Sequence, residues 1–489
     1  MAEQADVVIA GARCAGAVAA ATLARQGLRV IAVDPAHFPS TTVSTHLLFA
    51  GGVAELARAG VLERVEKIGA PRLSRAFIGG PGHGAAGGYT PVDGLDYGMC
   101  VRRAPLDAAL VDAAREAGAD VREGHRVTEV LWENGRAVGV RVRSRAGGDH
   151  PEEPGGQSGS AGSGDQGGFG SSGGRGGSGA SGGARGSAGS QGSRASGEYE
   201  IRARLVIGAD GRRSTLARLL GAEQPRVTHA NGRACYYAYY EDPREEWRNT
   251  AAMWLTGREL GNAFPCDGGL SLVLLMPPVE RVPDFRGNLE AEFERTVTLV
   301  PGLAERLSGC SRATKVVSST THPSYFRRSS GPGWALVGDA GHFKDPVTAQ
   351  GIRDAIRFAR LLGERAGGVI GDPAALDDAV RAWERRRNAE CVHTYHWTNL
   401  LGRGDALAPV QFELLRVLTD GPGGVRRVLD VYSRLRDPRE TLALPGLLRA
   451  TVRALAHGAG ERPAILRSAT EALRELAGNR REARRLVLP

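Results

Sequence analysis

The sequence predicts an α/β fold in which a nucleotide-binding βαβ domain is joined to an antiparallel sheet and a helical C-terminal region. Three observations support this prediction. A βαβ pattern opens the chain, short alternating strands occupy 233–276, and helical periodicity dominates after Ile352. With 489 residues, 42% of them apolar, the chain is long enough to form several domains.

The opening segment reads as strand, tight turn, helix and second strand, over 6–10, 11–16, 15–26 and 28–33. Gly11 and Gly16 bound the turn, but Arg13 stands where the G-x-G-x-x-G motif has its middle glycine. Asp34 ends the second strand, where an acid can bind the ribose hydroxyls of an adenosine. We therefore predict that these four residues bind a dinucleotide, although any α/β protein can contain such a turn.

Two further segments have the same strand-to-helix character. Arg103 begins a predicted helix, where a guanidinium can bind phosphate or ribityl oxygens through two hydrogen bonds. The strand 125–131 places the backbone of Val127 where it can contact adenine. Asp210 and Gly211 follow a buried strand, and Asp210 with Ser214 suits either a cofactor contact or simple helix capping.

The fourth segment, 334–352, is the most specific. An apolar strand ends in Gly338 and Asp339, whose carboxylate can bind a ribityl hydroxyl. A turn containing Pro346 then leads into a helix beginning near Gly351 and Ile352, and amides at a helix start favour negative charge. This order of features predicts a flavin site.

Composition excludes several other classes. The net charge of +9 comes almost entirely from arginine, without a nucleic-acid recognition motif, so no nucleic-acid partner is predicted. The six cysteines are scattered and predict neither disulfides nor a metal site; they lie at 14, 100, 235, 266, 310 and 391. No long apolar window and no export signal are found, so we expect a cytoplasmic protein without a membrane span.

Taken together, the four segments resemble those of the class A flavoprotein monooxygenases, the p-hydroxybenzoate hydroxylase-like family. The resemblance covers about 6–365, and the wider superfamily includes geranylgeranyl reductases and flavin halogenases. Lys344, Asp345 and Thr348 depart from the hydroxylase pattern beside the proline turn. The resemblance implies a Rossmann-like FAD-binding domain with an antiparallel-sheet substrate domain and a helical C-terminal region.

The resemblance also implies a reaction. NAD(P)H would bind transiently and reduce FAD, and molecular oxygen would form a flavin C4a-hydroperoxide that hydroxylates or epoxidises an aromatic or polyketide-like small molecule. Amides at 349–352 would stabilise negative charge on the flavin, and Pro346 would pack beside the ring. His46 falls near the ring edge in relatives and is a candidate proton shuttle, although a lone histidine is more often structural. No metal is implied.

The implied domain organisation divides the chain into eight segments: FAD-binding parts at 1–72, 98–143, 199–228 and 318–372; a substrate-domain excursion at 73–97; a Gly/Ser-rich hairpin insertion at 144–198; a substrate-binding sheet at 229–317; and a helical region at 373–489. The insertion is too poor in apolar residues to form a core, and we expect it to be disordered.

Of three other functions, halogenation is improbable and two remain as alternatives. A halogenase of the tryptophan type would carry a Trp-x-Trp-x-Ile-Pro segment, and the six tryptophans never occur in that spacing. A geranylgeranyl-reductase-like enzyme is the leading alternative, because the segment 346–351 is intermediate between the hydroxylase and reductase forms. A non-catalytic flavin-binding protein is the third.

Overall fold

The computed structural model describes residues 2–80, 83–144, 197–406, 408–419, 423–441, 444–456 and 462–487. The strands are β1 (Glu3–Gln4), β2 (Val7–Ala10), β3 (Val30–Asp34), β4 (Leu47–Leu48), β5 (Arg75–Gly80), β6 (His83–Gly88), β7 (Met99–Cys100), β8 (Asp120–Glu123), β9 (His125–Glu133), β10 (Arg136–Ser144), β11 (Glu198–Arg202), β12 (Leu205–Gly208), β13 (Pro225–His229), β14 (Cys235–Glu241), β15 (Thr250–Thr256), β16 (Glu259–Pro265), β17 (Leu270–Leu275), β18 (Ser311–Arg312), β19 (Val317–Ser319), β20 (Ser324–Arg327), β21 (Ser330–Gly331), β22 (Trp334–Leu336) and β23 (His342–Phe343). The α-helices are α1 (Cys14–Ala24), α2 (Ala50–Arg58), α3 (Leu62–Glu66), α4 (Arg103–Glu116), α5 (Thr215–Leu219), α6 (Val282–Gly287), α7 (Leu289–Thr298), α8 (Pro301–Arg306), α9 (Gly351–Gly367), α10 (Pro373–Leu401), α11 (Pro409–Thr419), α12 (Gly424–Tyr432), α13 (Pro438–Thr441), α14 (Leu444–Ala456) and α15 (Arg462–Val487).

A six-stranded sheet in the order β21-β22-β12-β2-β3-β8 forms the centre of the fold, and all its pairs except β21-β22 are parallel. The strands β2, β3 and β12 are apolar along nearly their whole length because both faces of the sheet are covered. Val7 and Ile9 pack against residues of α1, α4 and α9. Val8 and Ile31 point the other way, toward a four-stranded sheet of order β1-β11-β10-β9.

The predicted βαβ start is confirmed, with α1 beginning at Cys14. The segment 199–207 has the pattern of one strand in the sequence, but it forms parts of β11 and β12 in two different sheets. The amide of Ala203 donates to Val138 in β10, whereas the next amide, of Arg204, donates to Asp6 beside β2. The alternating pattern of β11 suits a half-exposed sheet, and the fully apolar β12 suits the buried one.

The strands that flank the Gly/Ser-rich insertion pair with each other as predicted. β10 and β11 are antiparallel, with Arg143 opposite Glu198. The insertion itself, predicted at 144–198, lies almost wholly outside the described residues.

The predicted antiparallel sheet is present as β14, β17, β16 and β15. It is extended by β5 and β6, which come from the segment 73–97, and β5 runs parallel to β15. One face packs on α6, α7 and α8. The other face packs on α2 and α12, so the helical region after 373 contributes directly to the walls of this sheet.

The long helices α9 and α10 complete the core, and α11, α14 and α15 pack together near the C-terminus. Within the described ranges, no helix is long and apolar enough to cross a bilayer. All six cysteines are free thiols, but Cys100 and Cys266 lie with their sulfur atoms 3.1 Å apart, a proximity that the sequence spacing did not predict.

Candidate functional site

A cavity of about 860 Å³ opens at the carboxyl edge of the parallel sheet. The residues that follow β2, β3, β12 and β22 all reach its wall, as expected for ligand sites in open α/β sheets. Eleven predicted site residues line the cavity: Gly11, Arg13, Asp34, Arg103, Asp210, Gly211, Gly338, Asp339, Pro346, Gly351 and Ile352. Its volume lies within the range of about 300–1,000 Å³ that is common for ligand and cofactor sites.

At one end of the cavity, the turn before α1 brings the backbone to the wall. Gly11 has a φ of +96°, and a Cβ there would lie 2.5 Å from the carbonyl oxygen of Ala209. A Cβ on Gly16 would lie 1.8 Å from the carbonyl oxygen of Gly11. Gly16 does not line the cavity. Because it has no Cβ, it permits the close turn that exposes the first amides of α1 to the cavity.

Arg13 and Arg103 are held by one buried carboxylate that the sequence analysis did not single out. Asp107 is fully buried in α4 and accepts hydrogen bonds from Arg13 at 2.8 Å and from Arg103 at 3.0 Å. Arg103 leaves its buried Nε without a partner among the described residues. The i,i+4 spacing of Arg103 and Asp107 on a helix was the available signal for this pairing.

Asp34 makes hydrogen bonds within the protein that the sequence did not predict. Its carboxylate accepts hydrogen bonds from the backbone amides of Ala12 at 2.7 Å and Ala36 at 2.8 Å, so it also fixes the two loops around it. Burial raises the pKa of Asp34 above its usual range, although the two amides oppose that change.

Asp210 caps α5 in the structure. Its carboxylate accepts from the backbone amide of Leu216 at 3.0 Å and from the Ser214 hydroxyl at 2.5 Å, while the Ser214 oxygen accepts from Ala217. Gly211 next to it has a φ of +79° and lies on the wall. The capping interpretation is therefore confirmed, and the capping residue also borders the cavity.

The segment 338–352 forms the other end of the cavity. Within the described part of the chain, the carboxylate of Asp339 accepts no hydrogen bond from the protein, and burial raises its pKa. α9 begins at Gly351 without a side-chain cap, so its first amides face the cavity unpaired within the helix. A Cβ on Gly351 would meet nothing within 4 Å, which leaves open space at the helix start.

Four residues separate this end of the cavity from a small apolar compartment: Thr45, Leu274, Pro346 and Ala349 line both spaces. The compartment has a volume of about 10 Å³, room for about one water molecule. Its remaining walls are Leu47, Phe49, Met253, Asn262, Phe264, Met276, Val347, Thr348 and Tyr432. Ala349 has a φ of +50°, a strained conformation that residues other than glycine seldom adopt.

Besides Gly16, two predicted residues lie away from the cavity wall. Val127 is buried in β9, opposite Val142, and its side chain packs in the core beneath the parallel sheet. His46 is 1% exposed, has a φ of +61° and makes a 2.9 Å hydrogen bond to the Tyr239 hydroxyl. Burial, together with the charge of Arg103, lowers the pKa of His46 to about 3, so the imidazole is neutral near pH 7. The premise for a proton shuttle, titration near neutrality, does not apply to this environment.

The residues that depart from the hydroxylase pattern have structural partners. The Lys344 ammonium lies 2.5 Å from the buried carboxylate of Asp354, and the Thr348 hydroxyl bonds that of Thr398 at 2.7 Å. Asp345 accepts from the amide of Val347 at 3.0 Å and so caps the proline turn. Lys344 also lines the cavity, so it adds positive charge near Asp339.

These features fit FAD. The cavity offers two uncapped helix starts for anionic groups, at α1 and α9, and the half-buried Arg13 and Arg103 lie beside the first of them. The half-buried carboxylate of Asp339 lies at the wall and accepts no hydrogen bond from the described residues, so it is free to accept one from a bound ligand.

Comparisons with known proteins agree with this assignment. Residues 4–152 match the family model described as "FAD binding domain". Digeranylgeranylglycerophospholipid reductase 2 from Methanococcoides burtonii is 21% identical over 384 residues, which cover 78% of this chain and 79% of that protein. Kynurenine 3-monooxygenase from Xanthomonas campestris is 27% identical over 237 residues, 45% of this chain and 50% of that protein. The solved structure of the flavin-dependent brominase Bmp2 has a TM-score of 0.65 at 16% identity and covers 93% of this chain and 100% of that chain.

The resemblance predicted from the motifs is thus confirmed, as is the fold class. These similarities support an FAD-binding enzyme, and the proteins that the chain resembles include monooxygenases, geranylgeranyl reductases and halogenases.

Proposed function

We propose that the chain is a monooxygenase that uses NAD(P)H and molecular oxygen to hydroxylate or epoxidise a compact aromatic or polyketide-like molecule. The observation that carries the proposal is the apolar compartment directly behind Thr45, Pro346 and Ala349, which would form the inner, apolar end of a substrate pocket that begins in the adjoining cavity. Bound FAD supplies electron transfer and oxygen activation, and such chemistry needs a substrate pocket from which water is excluded. The compartment walls are mainly aliphatic and aromatic, which suits that requirement.

The chain's own residues would bind FAD along the cavity. The first amides of α1, with Arg103 held by Asp107, would bind the phosphates, and Asp34 would border the adenosine ribose. Asp339 would accept a hydrogen bond from a ribityl hydroxyl. The first amides of α9, at Gly351 and Ile352, would stabilise negative charge on the ring.

The other wall residues would position the substrate. Pro346 and Ala349 form the boundary between cofactor and substrate, and Phe49 and Phe264 provide aromatic surface beyond it. His46 would hold the Tyr239 hydroxyl rather than shuttle protons near pH 7, because burial lowers its pKa to about 3 and makes the imidazole a weak base. Arg212 and Arg327 at the cavity wall supply positive charge for the phosphates of a transient NAD(P)H.

A reductase that saturates carbon-carbon double bonds is the second candidate. It is supported by the reductase relatives, whose similarity extends over most of this chain. We place the monooxygenase first because the identity to kynurenine 3-monooxygenase, 27%, is higher than the 21% identity to the reductase.

The two candidates differ in their need for oxygen. The purified flavoprotein is incubated with NADH or NADPH and with panels of phenols, polycyclic aromatics and isoprenoids, under ¹⁸O₂ and under argon. The proposal predicts substrate-stimulated NAD(P)H oxidation and a product that contains one ¹⁸O atom. Turnover under argon with loss of a double bond would refute the monooxygenase and support the reductase.

A further inference from the structure

The segment after α11 contributes one aromatic wall to the compartment. Tyr432, the last residue of α12, lines it and is 7% exposed. Its ring centroid lies 4.7 Å from that of Phe49 and 4.7 Å from that of Trp397. Tyr432 thus occupies space next to Phe49 that a larger ligand in the compartment would need.

α12 is packed closely against the sheet and against α2. A Cβ on Gly87 of β6 would lie 2.9 Å from Val425, and a Cβ on Gly51 of α2 would lie 2.0 Å from the carbonyl oxygen of Ser433. These close approaches fix both ends of α12. Tyr432 is therefore part of a fixed wall.

Arg434 ties this wall to the helix that faces the cofactor cavity. It has a φ of +63°, which is unusual for arginine and requires compensating contacts. Its Nε donates to the side-chain oxygen of Gln350 at 2.8 Å, and its Nη2 donates to Asp354 at 3.0 Å. It also donates to the Thr394 hydroxyl and to the carbonyl oxygen of Glu390.

Gln350 completes the connection. Its Nε2 donates to the backbone carbonyl of Tyr432 at 2.9 Å, and it directly precedes α9. Asp354 lies in the first turn of α9 and is buried. Arg434 therefore orients Gln350, and Gln350 fixes the end of α12 beside the start of α9.

We infer that Tyr432 is a specificity-determining residue that keeps the compartment too small for an aromatic ring and so limits how far a substrate extends beyond the cavity, and that Arg434 is a positioning residue that holds Tyr432 in place through Gln350. The inference rests on the proposed function only in assigning the compartment to the substrate. It predicts selection by size at the flavin, whichever reaction follows.

The test uses the full-length FAD-loaded protein with two probes that differ by one aromatic ring, phenol and 2-naphthol. Their dissociation constants are measured from changes in the flavin absorption spectrum, for wild type and for Tyr432→Ala, Tyr432→Leu and Tyr432→Phe. We expect 2-naphthol to gain at least about tenfold relative to phenol in the Ala and Leu variants, because apolar pockets discriminate by about that factor. The Phe variant retains the ring and should behave as wild type.

Arg434→Gln should shift the same ratio toward 2-naphthol, whereas Arg436→Gln should not. Arg436 is a matched control because it is 48% exposed and pairs with Asp430 and Glu440, away from Gln350. Flavin content and melting temperature identify variants that fold. The inference would be overturned if folded Tyr432→Leu left the ratio of the phenol and 2-naphthol dissociation constants unchanged. It would also be overturned if no variant bound 2-naphthol. Failure of ¹⁸O incorporation would instead refute the proposed reaction and leave the size ratio as a separate result.

Discussion

Replacing Asp339 by alanine should weaken FAD binding more than any other single change at the ribityl end of the cavity. Its carboxylate lines the cavity and accepts no hydrogen bond from the described residues, so the bound cofactor would be its partner. A hydrogen bond to a charged group contributes about 1.5–3 kcal/mol. Because about 1.4 kcal/mol corresponds to a tenfold change, the dissociation constant should rise about 10-fold to 150-fold.

The assay is titration of the apoprotein with FAD, followed by quenching of flavin fluorescence. Asp339→Asn retains an acceptor oxygen and should lose less affinity than Asp339→Ala. Asp378→Ala provides the control, because Asp378 is 75% exposed on α10 and pairs with Arg381. An Asp339→Ala dissociation constant within twofold of wild type would refute the assigned contact, and so would an equal loss in the control.

Three further predictions concern the cavity and its surroundings. Gly351→Val should place a side chain in the open space at the start of α9 and weaken FAD binding at least about tenfold. Gly371→Val is the control, because it also adds a side chain in open space but on the surface, and it should not change the affinity. Both are measured by the same titration. Asp354→Asn should lower the free energy of unfolding by about 3–5 kcal/mol, because it leaves the buried Lys344 without its counter-charge. Urea unfolding measures this change, and a loss below about 1 kcal/mol would contradict the prediction. Burial lowers the pKa of His46 to about 3, whereas the pKa in the unfolded chain is about 6.5. Below pH 6.5 the unfolded chain therefore gains a proton that the folded protein does not, and the free energy of unfolding decreases as the pH falls toward 3. Between pH 7 and pH 5, wild type should therefore lose about 2 kcal/mol of unfolding free energy more than His46→Gln, and equal slopes would show that His46 titrates normally.

The fold and the cofactor cavity were largely predictable because they depend on local patterns. A buried strand followed by glycine or an acid and then a helix start occurs near Gly11, Asp210 and Gly338, and parallel strands bring their carboxyl ends to one edge. The sequence therefore indicated which segments would meet. It could not indicate which residues hold them, since the roles of Asp107 and Asp354 depend on long-range contacts of buried charges.

Other features depended on three-dimensional context. The environment of His46 could not be predicted, because a pKa depends on burial and neighbouring charges. The change from β11 to β12 is hard to see in the sequence because both parts of 199–207 have a strand-like pattern, and their pairing partners place them in different sheets. The contribution of Tyr432 to the compartment required the path of the C-terminal helices, which local periodicity does not specify.

The most direct test of the central claim is a crystal structure of the full-length protein with FAD bound. The account predicts the adenosine near Asp34, the pyrophosphate at the start of α1, and the isoalloxazine ring between Pro346 and the first amides of α9, with the apolar compartment beside its reactive edge. FAD bound in the opposite direction, or outside this cavity, would contradict the account.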